Sequence, residues 1–273
     1  MTATPIPDSA PEAMDAGLRL VLPGRRLPAA AGWDWVAGGW KLFARAPLMW
    51  IISLVIVFII AVAMSLLRVV GSLVFQLLQA VFAAGFIAAC RSLERGGDFE
   101  LEHLFAGFTR RFGNLLVLGA LVLVGSIAIF LVFAAFVGFS IVGALIMGNP
   151  DTIYQSVAAS IGMLLLGLLV MLGLMVPLLA AFWFAPALVL MHDMAPVKAM
   201  QASFSASFRN FVPFLVYGIV TLLAGIVAMI PLGLGLLVFF PVVIASAYVS
   251  YRQGFTEDVA PAARQDAMGV QVP

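Results

Sequence analysis

The chain has 273 residues, 64% of them hydrophobic and only 10% charged, with a formal net charge of +1. Soluble domains carry roughly 25% charged residues; this chain has too little polar side chain to cover a water-facing surface, and lipid is the solvent that removes the difficulty. The balanced charge gives no field for nucleic acid, and the single cysteine, Cys90, excludes a disulfide framework or a Cys-based zinc site.

Residues 1–30 hold Pro5, Pro7, Pro11 and Pro23 among small and acidic residues and read as a disordered tail. They contain no apolar run of signal-peptide length, so the first span is expected to drive insertion. From Trp33 the pattern changes. Trp33, Val36, Trp40 and Phe43 share one helical face, with Asp34, Lys41 and Arg45 opposite. Such a segment is suited to lie in the membrane interface.

Six apolar spans follow, at about 47–65, 69–89, 115–147, 157–191, 211–228 and 232–248. Each offers ~18 or more residues, enough to cross a hydrocarbon core of ~30 Å. The third and fourth stretches are over-long, at about 50 Å of helix each, and the excess must tilt, kink or leave the bilayer. Pro177 and Pro186 are natural breaks in the fourth. Its span is expected to end near Trp183, with 184–191 continuing along the interface. The membrane domain is thus read as 31–252, and 253–273 as a second disordered tail.

All but one of the 14 Lys and Arg residues fall before span one, between spans two and three, between spans four and five, or after span six. Those segments share one side, which the positive-inside rule makes cytoplasmic, so both termini are expected inside. The exception, Arg68, sits in the tight turn between the first two spans and can snorkel to the outer surface. All five tryptophans, at 33, 35, 40, 50 and 183, fall near the inner interface and read as half of an aromatic belt.

Three inner segments look alike. Trp40 to Arg45 enters span one, Phe105 to Arg110 enters span three, and Phe204 to Arg209 enters span five. In the first two an aromatic residue stands two positions before the arginine, and in the third Phe208 stands directly before it. In the second the apolar stripe is Leu101, Leu104, Phe105 and Phe108; in the third it is Val197, Met200, Phe204 and Phe208. Asp98, after Gly96-Gly97, is expected to cap the second segment. Asp193 is a candidate cap for the third, ahead of Pro196 as a first helical residue. The fold class expected is all-α: a polytopic membrane protein with six transmembrane helices as three hairpins, each preceded by a cytoplasmic interfacial amphipathic helix.

Two stretches go beyond generic hydropathy. One is Gly32-Trp33 through Pro47-Leu48-Met49-Trp50; the other is Trp183-Phe184-Ala185-Pro186 through Arg209-Asn210 and Pro213-Phe214-Leu215-Val216-Tyr217-Gly218. With Leu104-Phe105-Ala106-Gly107-Phe108, they resemble an uncharacterised proteobacterial inner-membrane family of hypothetical transmembrane proteins. More distantly, they are similar to the membrane-domain superfamily found beside some glycerophosphodiester phosphodiesterases. The resemblance covers about 32–251. It implies the fold and an inner-membrane location, and brings no activity or catalytic residues.

Arg45, Arg110, Arg111 and Arg209 are candidate contacts for anionic lipid headgroups, because guanidinium forks match phosphate bidentately at the inner leaflet. The same residues serve equally as topology anchors. Gln76 and Gln79, at i and i+3 on span two, are the most polar pair inside any span and read as interhelical glue or a substrate contact. His192-Asp193 has only His103 as a further histidine and no neighbouring cysteine, so no metal site or cofactor is expected. Cys90 reads as a small packing residue.

The function expected is that of an integral inner-membrane protein, non-enzymatic, acting as an accessory or envelope factor that engages lipid. The bilayer, and anionic phospholipid within it, are the expected partners. The alternative is a small transporter or channel. Glycines at 119, 125, 138, 143, 162, 167 and 173 permit the close helix contacts it would need, but no acidic residue sits at a span centre to couple protons.

Overall fold

The computed structural model describes residues 18–146 and 153–258. In chain order it has β1 (Leu18–Leu20), α1 (Ala31–Arg45), α2 (Pro47–Ser65), α3 (Arg68–Glu94), α4 (Leu101–Leu104) and α5 (Ala106–Thr109). There follow α6 (Phe112–Ile146), α7 (Ile153–Trp183), α8 (Ala185–His192), α9 (Pro196–Arg209), α10 (Phe211–Met229), α11 (Leu236–Phe255) and β2 (Thr256–Asp258).

Six of these helices are long and apolar enough to cross a membrane. Large apolar side chains such as Phe58, Leu169, Leu172, Leu222 and Val227 are exposed along α2, α7 and α10. A continuous apolar surface of this kind is stable only in lipid. The fold is therefore an all-α, polytopic membrane protein. Neighbouring long helices touch one another: α2 with α3, α6 with α7, and α10 with α11.

Local chemistry explains the breaks. Pro47 opens α2 directly after Arg45 closes α1. Arg68 takes φ 53° in the turn into α3, and Gly96 takes φ 83° after the last turn of α3. Leu232 and Gly233 are also left-handed, so α11 begins at Leu236, later than the sixth apolar run, and continues to Phe255. Pro177 lies inside α7 without ending it, and α7 stops at Trp183, before Pro186. Residues 185–191 do not lie on the interface as expected: every side chain of that stretch is buried against the bundle.

The core sits at one end of the bundle. Its fully buried members include Trp50, Val81, Leu104, Leu115, Leu188 and Tyr248, from the second half of α3, the first turns of α6, α8 and the last turns of α11. Trp50 stacks on Phe86 and meets Phe99 edge-on. Trp35 is also wholly buried, and donates through Nε1 to Gln253 Oε1 at 2.9 Å. These two tryptophans belong to the core and not to an aromatic belt; Trp33 and Trp40 are the exposed ones.

The segments ahead of α2 and α10 pack largely through small residues, with Phe43 buried as well, whereas the segment ahead of α6 buries Leu104 of its own stripe and sets Phe108 against Phe82. In α1 the buried face includes Ala31, Gly32, Trp35 and Gly39, against α10 and α11. In α9 it is Ala199, Ser203, Ala206 and Ser207, against α7 and α8, while Val197, Phe204 and Phe208 stay exposed. Ser203 Oγ donates to Ala180 O at 2.7 Å and accepts from the Phe184 amide at 3.0 Å. The middle segment is split into α4 and α5, both on α3. The helix caps differ from expectation too. Glu100, not Asp98, precedes α4, and its amide donates to His103 Nδ1 at 3.1 Å. Asp193 is the left-handed residue that ends α8, and the residue before α9 is Ala195.

Residues 18–30, read as part of a tail, are structured. β1 pairs antiparallel with β2, Leu18 opposite Asp258 and Leu20 opposite Thr256. Asn210 Oδ1 accepts from the Leu27 amide at 2.8 Å, and its Nδ2 donates to Arg25 O at 2.9 Å. The tail boundaries placed at 30 and 253 therefore shift outward, since 18–30 and 253–258 belong to the folded body; residues 1–17 and 259–273 lie outside the described residues.

A Cβ at Gly32 would lie 2.3 Å from Pro213 O, and one at Gly39 would lie 2.5 Å from Val242 O. Backbone cannot yield as a side-chain tip does, so a large residue there separates α1 from α10 and α11. Gly39→Leu is expected to destabilise the protein by about 1–3 kcal/mol, seen as a lower unfolding temperature in detergent. Gly173→Ala, at a position with no neighbour within 4 Å, is the control and should leave that temperature unchanged or raise it slightly.

Candidate functional site

The last residue of α3 organises the packed end. Glu94 Oε2 accepts from Arg91 Nη1 at 2.9 Å and from the Tyr248 hydroxyl, and Oε1 accepts from Arg252 Nε at 2.8 Å. Arg91 is buried. One carboxylate thus ties its own helix to α11 through the Arg252 guanidinium and the Tyr248 phenol, while Arg91 of the same helix holds it in place. Charge-assisted bonds of this kind are the strong ones. A carboxylate engaged by three donors is an anchor between helices; it is poorly placed to take a proton from a substrate.

Beside it lies a cavity of about 530 Å³. Gly38, Lys41, Leu42 and Arg45 of α1 form one wall, and Tyr248, Val249, Arg252 and Gln253 of α11 form the other. Arg25, Thr256 and Glu257 close it below. Arg25 donates to Thr256 O at 2.7 Å and pairs with Glu257 at 3.0 Å. Arg45 donates to Leu93 O at the end of α3.

A second cavity, of about 510 Å³, lies between α3 and the α4–α5 pair. It is lined by His103, Ala106 and Arg110 on one side and by Arg91, Ser92 and Arg95 of the α3 end on the other. In sequence offset Arg110 and Arg95 match Arg45 and Arg252 of the first, but Arg110 is extended beyond α5 where Arg45 is helical. A third cavity, of about 460 Å³ between α7, α9 and α10, is apolar and lined by residues such as Trp183, Phe214 and Leu222.

The four arginines singled out in the sequence do not form one site. Arg45 is in the first cavity and Arg110 in the second. Arg111 pairs with Asp193 at 2.7 Å, joining the start of α6 to the end of α8. Arg209 donates to Gly24 O at 3.3 Å and holds the N-terminal segment. Gln76 is half-buried and Gln79 exposed on α3, so neither is a buried interhelical amide. His192 meets the Tyr251 hydroxyl at 2.6 Å. Among the described residues no three His, Cys, Asp or Glu side chains are grouped to hold a metal ion. Sequence reading missed Arg25, Glu94, Arg95 and Arg252 as cavity residues. No local pattern marks them, because they are brought to the cavities by contacts between elements far apart in the chain.

These features define a multi-pass integral membrane protein with a basic, cavity-bearing end. Within that class the chain is similar to a protein of Burkholderia thailandensis named a probable inner membrane protein. The two are 30% identical over 196 residues, 70% of this chain and 72% of the relative. The chain belongs to that protein's family. No family model matches the chain, and no solved structure matches it.

Glu94→Ala leaves Arg91, Arg252 and Tyr248 without their acceptor. It is expected to cost about 1.5–3 kcal/mol, the range for hydrogen bonds to charged groups, and to lower the unfolding temperature measured in detergent. Tyr248→Phe removes one donor and should have a smaller effect. An unchanged temperature for Glu94→Ala would contradict the anchoring role.

Proposed function

We propose that the protein is a non-enzymatic factor of the bacterial inner membrane that engages anionic phospholipid through its basic end. That end and both termini lie in the cytoplasm. The membrane part is read as three modules, each an interfacial helix followed by a hairpin: α1 with α2–α3, α4–α5 with α6–α7, and α9 with α10–α11. The distribution of Lys and Arg supports this orientation. So do the exposed aromatics Trp33 and Trp40 of α1 and Phe204 and Phe208 of α9, which suit the headgroup region. The relative's printed name agrees with the location.

The observation that carries the lipid reading is the pair of arginine-lined cavities beside α3. Basic side chains at the inner leaflet gain about 1 kcal/mol each from anionic lipid, and guanidinium forks fit phosphate oxygens. The carboxylates of the first, Glu94 and Glu257, are held in ion pairs that tie elements together, an arrangement suited to holding a ligand rather than transforming one.

Two measurements test the proposal. Reporter fusions should give a fluorescent cytoplasmic reporter at the C-terminus and an active periplasmic phosphatase when inserted between α6 and α7; the reverse pattern would overturn the orientation. Native mass spectrometry of the extracted protein should show retention of phosphatidylglycerol over phosphatidylcholine. Equal retention would overturn the lipid reading.

A further inference from the structure

We infer that the cavity between α1, α11 and the end of α3 is a binding site for a phosphate group at headgroup depth, carried by a phospholipid or by a soluble phosphorylated compound. The inference rests on the lipid reading above for its first source and names the residues that would do the work.

The charge around the cavity is uneven. Arg25 pairs with Glu257 at 3.0 Å and Arg252 with Glu94 at 2.8 Å. Lys41 and Arg45 line the same space, one helical turn apart on α1. They exceed the carboxylates present, and a phosphate would balance them.

Depth is set by α1 itself. Trp40 precedes Lys41 and is exposed, as an interfacial tryptophan would be. Arg45 stands two residues before Pro47, where the first spanning helix begins. The cavity therefore opens where lipid phosphates lie. Gly38, Leu42 and Val249 give it an apolar side for carbon attached to the phosphate. A volume of about 530 Å³ falls in the usual range for small-ligand sites, about 300–1,000 Å³. The second cavity at the same end is basic too, lined by Arg91, Arg95 and Arg110.

The test uses the full chain and two probes. Phosphatidylglycerol is titrated against phosphatidylcholine by native mass spectrometry, and inorganic phosphate is titrated into protein held in phosphatidylcholine nanodiscs. Lys41→Ala is compared with the Lys41→Ala, Arg45→Ala double variant, with helical content and elution volume measured to establish folding. Lys41 is exposed, so the single variant keeps the test open if loss of the Arg45–Leu93 bond disturbs the double one.

The expected result is a loss of phosphatidylglycerol affinity of roughly fivefold per removed cation, with phosphatidylcholine unaffected. Loss of inorganic phosphate binding in the variants, with a wild type that shows no preference for phosphatidylglycerol, would support the site with a soluble source, while the lipid reading would fail. If the wild type prefers phosphatidylglycerol and both variants keep that preference in full, the site is overturned and the lipid reading stands. If neither probe distinguishes wild type from either variant, the inference is overturned.

Discussion

The close approach of α1 to α10 and α11 is the constraint on which the rest depends. Gly32 and Gly39 let the backbone of α1 settle against the carbonyls of Pro213 and Val242. Trp35 then fills the space between, edge-on to Phe214 and bonded to Gln253. β1 pairs with β2 just beyond, so the first and last elements of the folded body are joined twice. In lipid, where apolar contact alone gives helices little reason to prefer one another over acyl chains, such backbone proximity and polar ties are what select a partner. The first cavity exists because of that choice. Packing α1 by its small-residue face turns Lys41 and Arg45 toward Arg252 and the end of α3.

The same logic recurs around the bundle. α4 and α5 pack on α3, and α9 packs on α7 and α8 through serine and alanine. In each case a segment that precedes one pair of long helices lies against the pair before it in the chain. The first segment has no predecessor, and it lies against the last pair. The chain thus closes on itself, and the polar ties gather at one end. The long helices carry their exposed apolar side chains away from it into lipid.

Hydropathy carried the spanning helices well, because a run long enough to cross lipid has few alternatives. The stop at Trp183 and the end of α3 at Gly96-Gly97 were legible from proline and glycine chemistry. The packing faces were not legible from the apolar stripes. In α9 the small residues Ala199, Ser203, Ala206 and Ser207 turn inward while Phe204 and Phe208 stay outward. Trp35 and Trp50 were read as interfacial because their sequence position and composition match that of Trp33 and Trp40, which do face outward. Residues 18–20 looked unstructured since their pairing partner lies at 256–258, beyond the reach of local pattern. The site was legible only in part. Arg45 and Arg110 were picked out by the repeated segment, but Glu94 and Arg252 meet across a distance no periodicity reports.

The most direct measurement concerns the contact of α1 with α11. A Cβ at position 38 would lie 3.5 Å from Val249 Cβ, within the disulfide range of about 3.5–4.5 Å. With Cys90 replaced by alanine, the Gly38→Cys, Val249→Cys protein should form an intramolecular disulfide in native membranes under mild oxidation, seen as a mobility shift reversed by reductant. Absence of that cross-link in membranes holding stably inserted, full-length protein would contradict the closure of the bundle by its first helix.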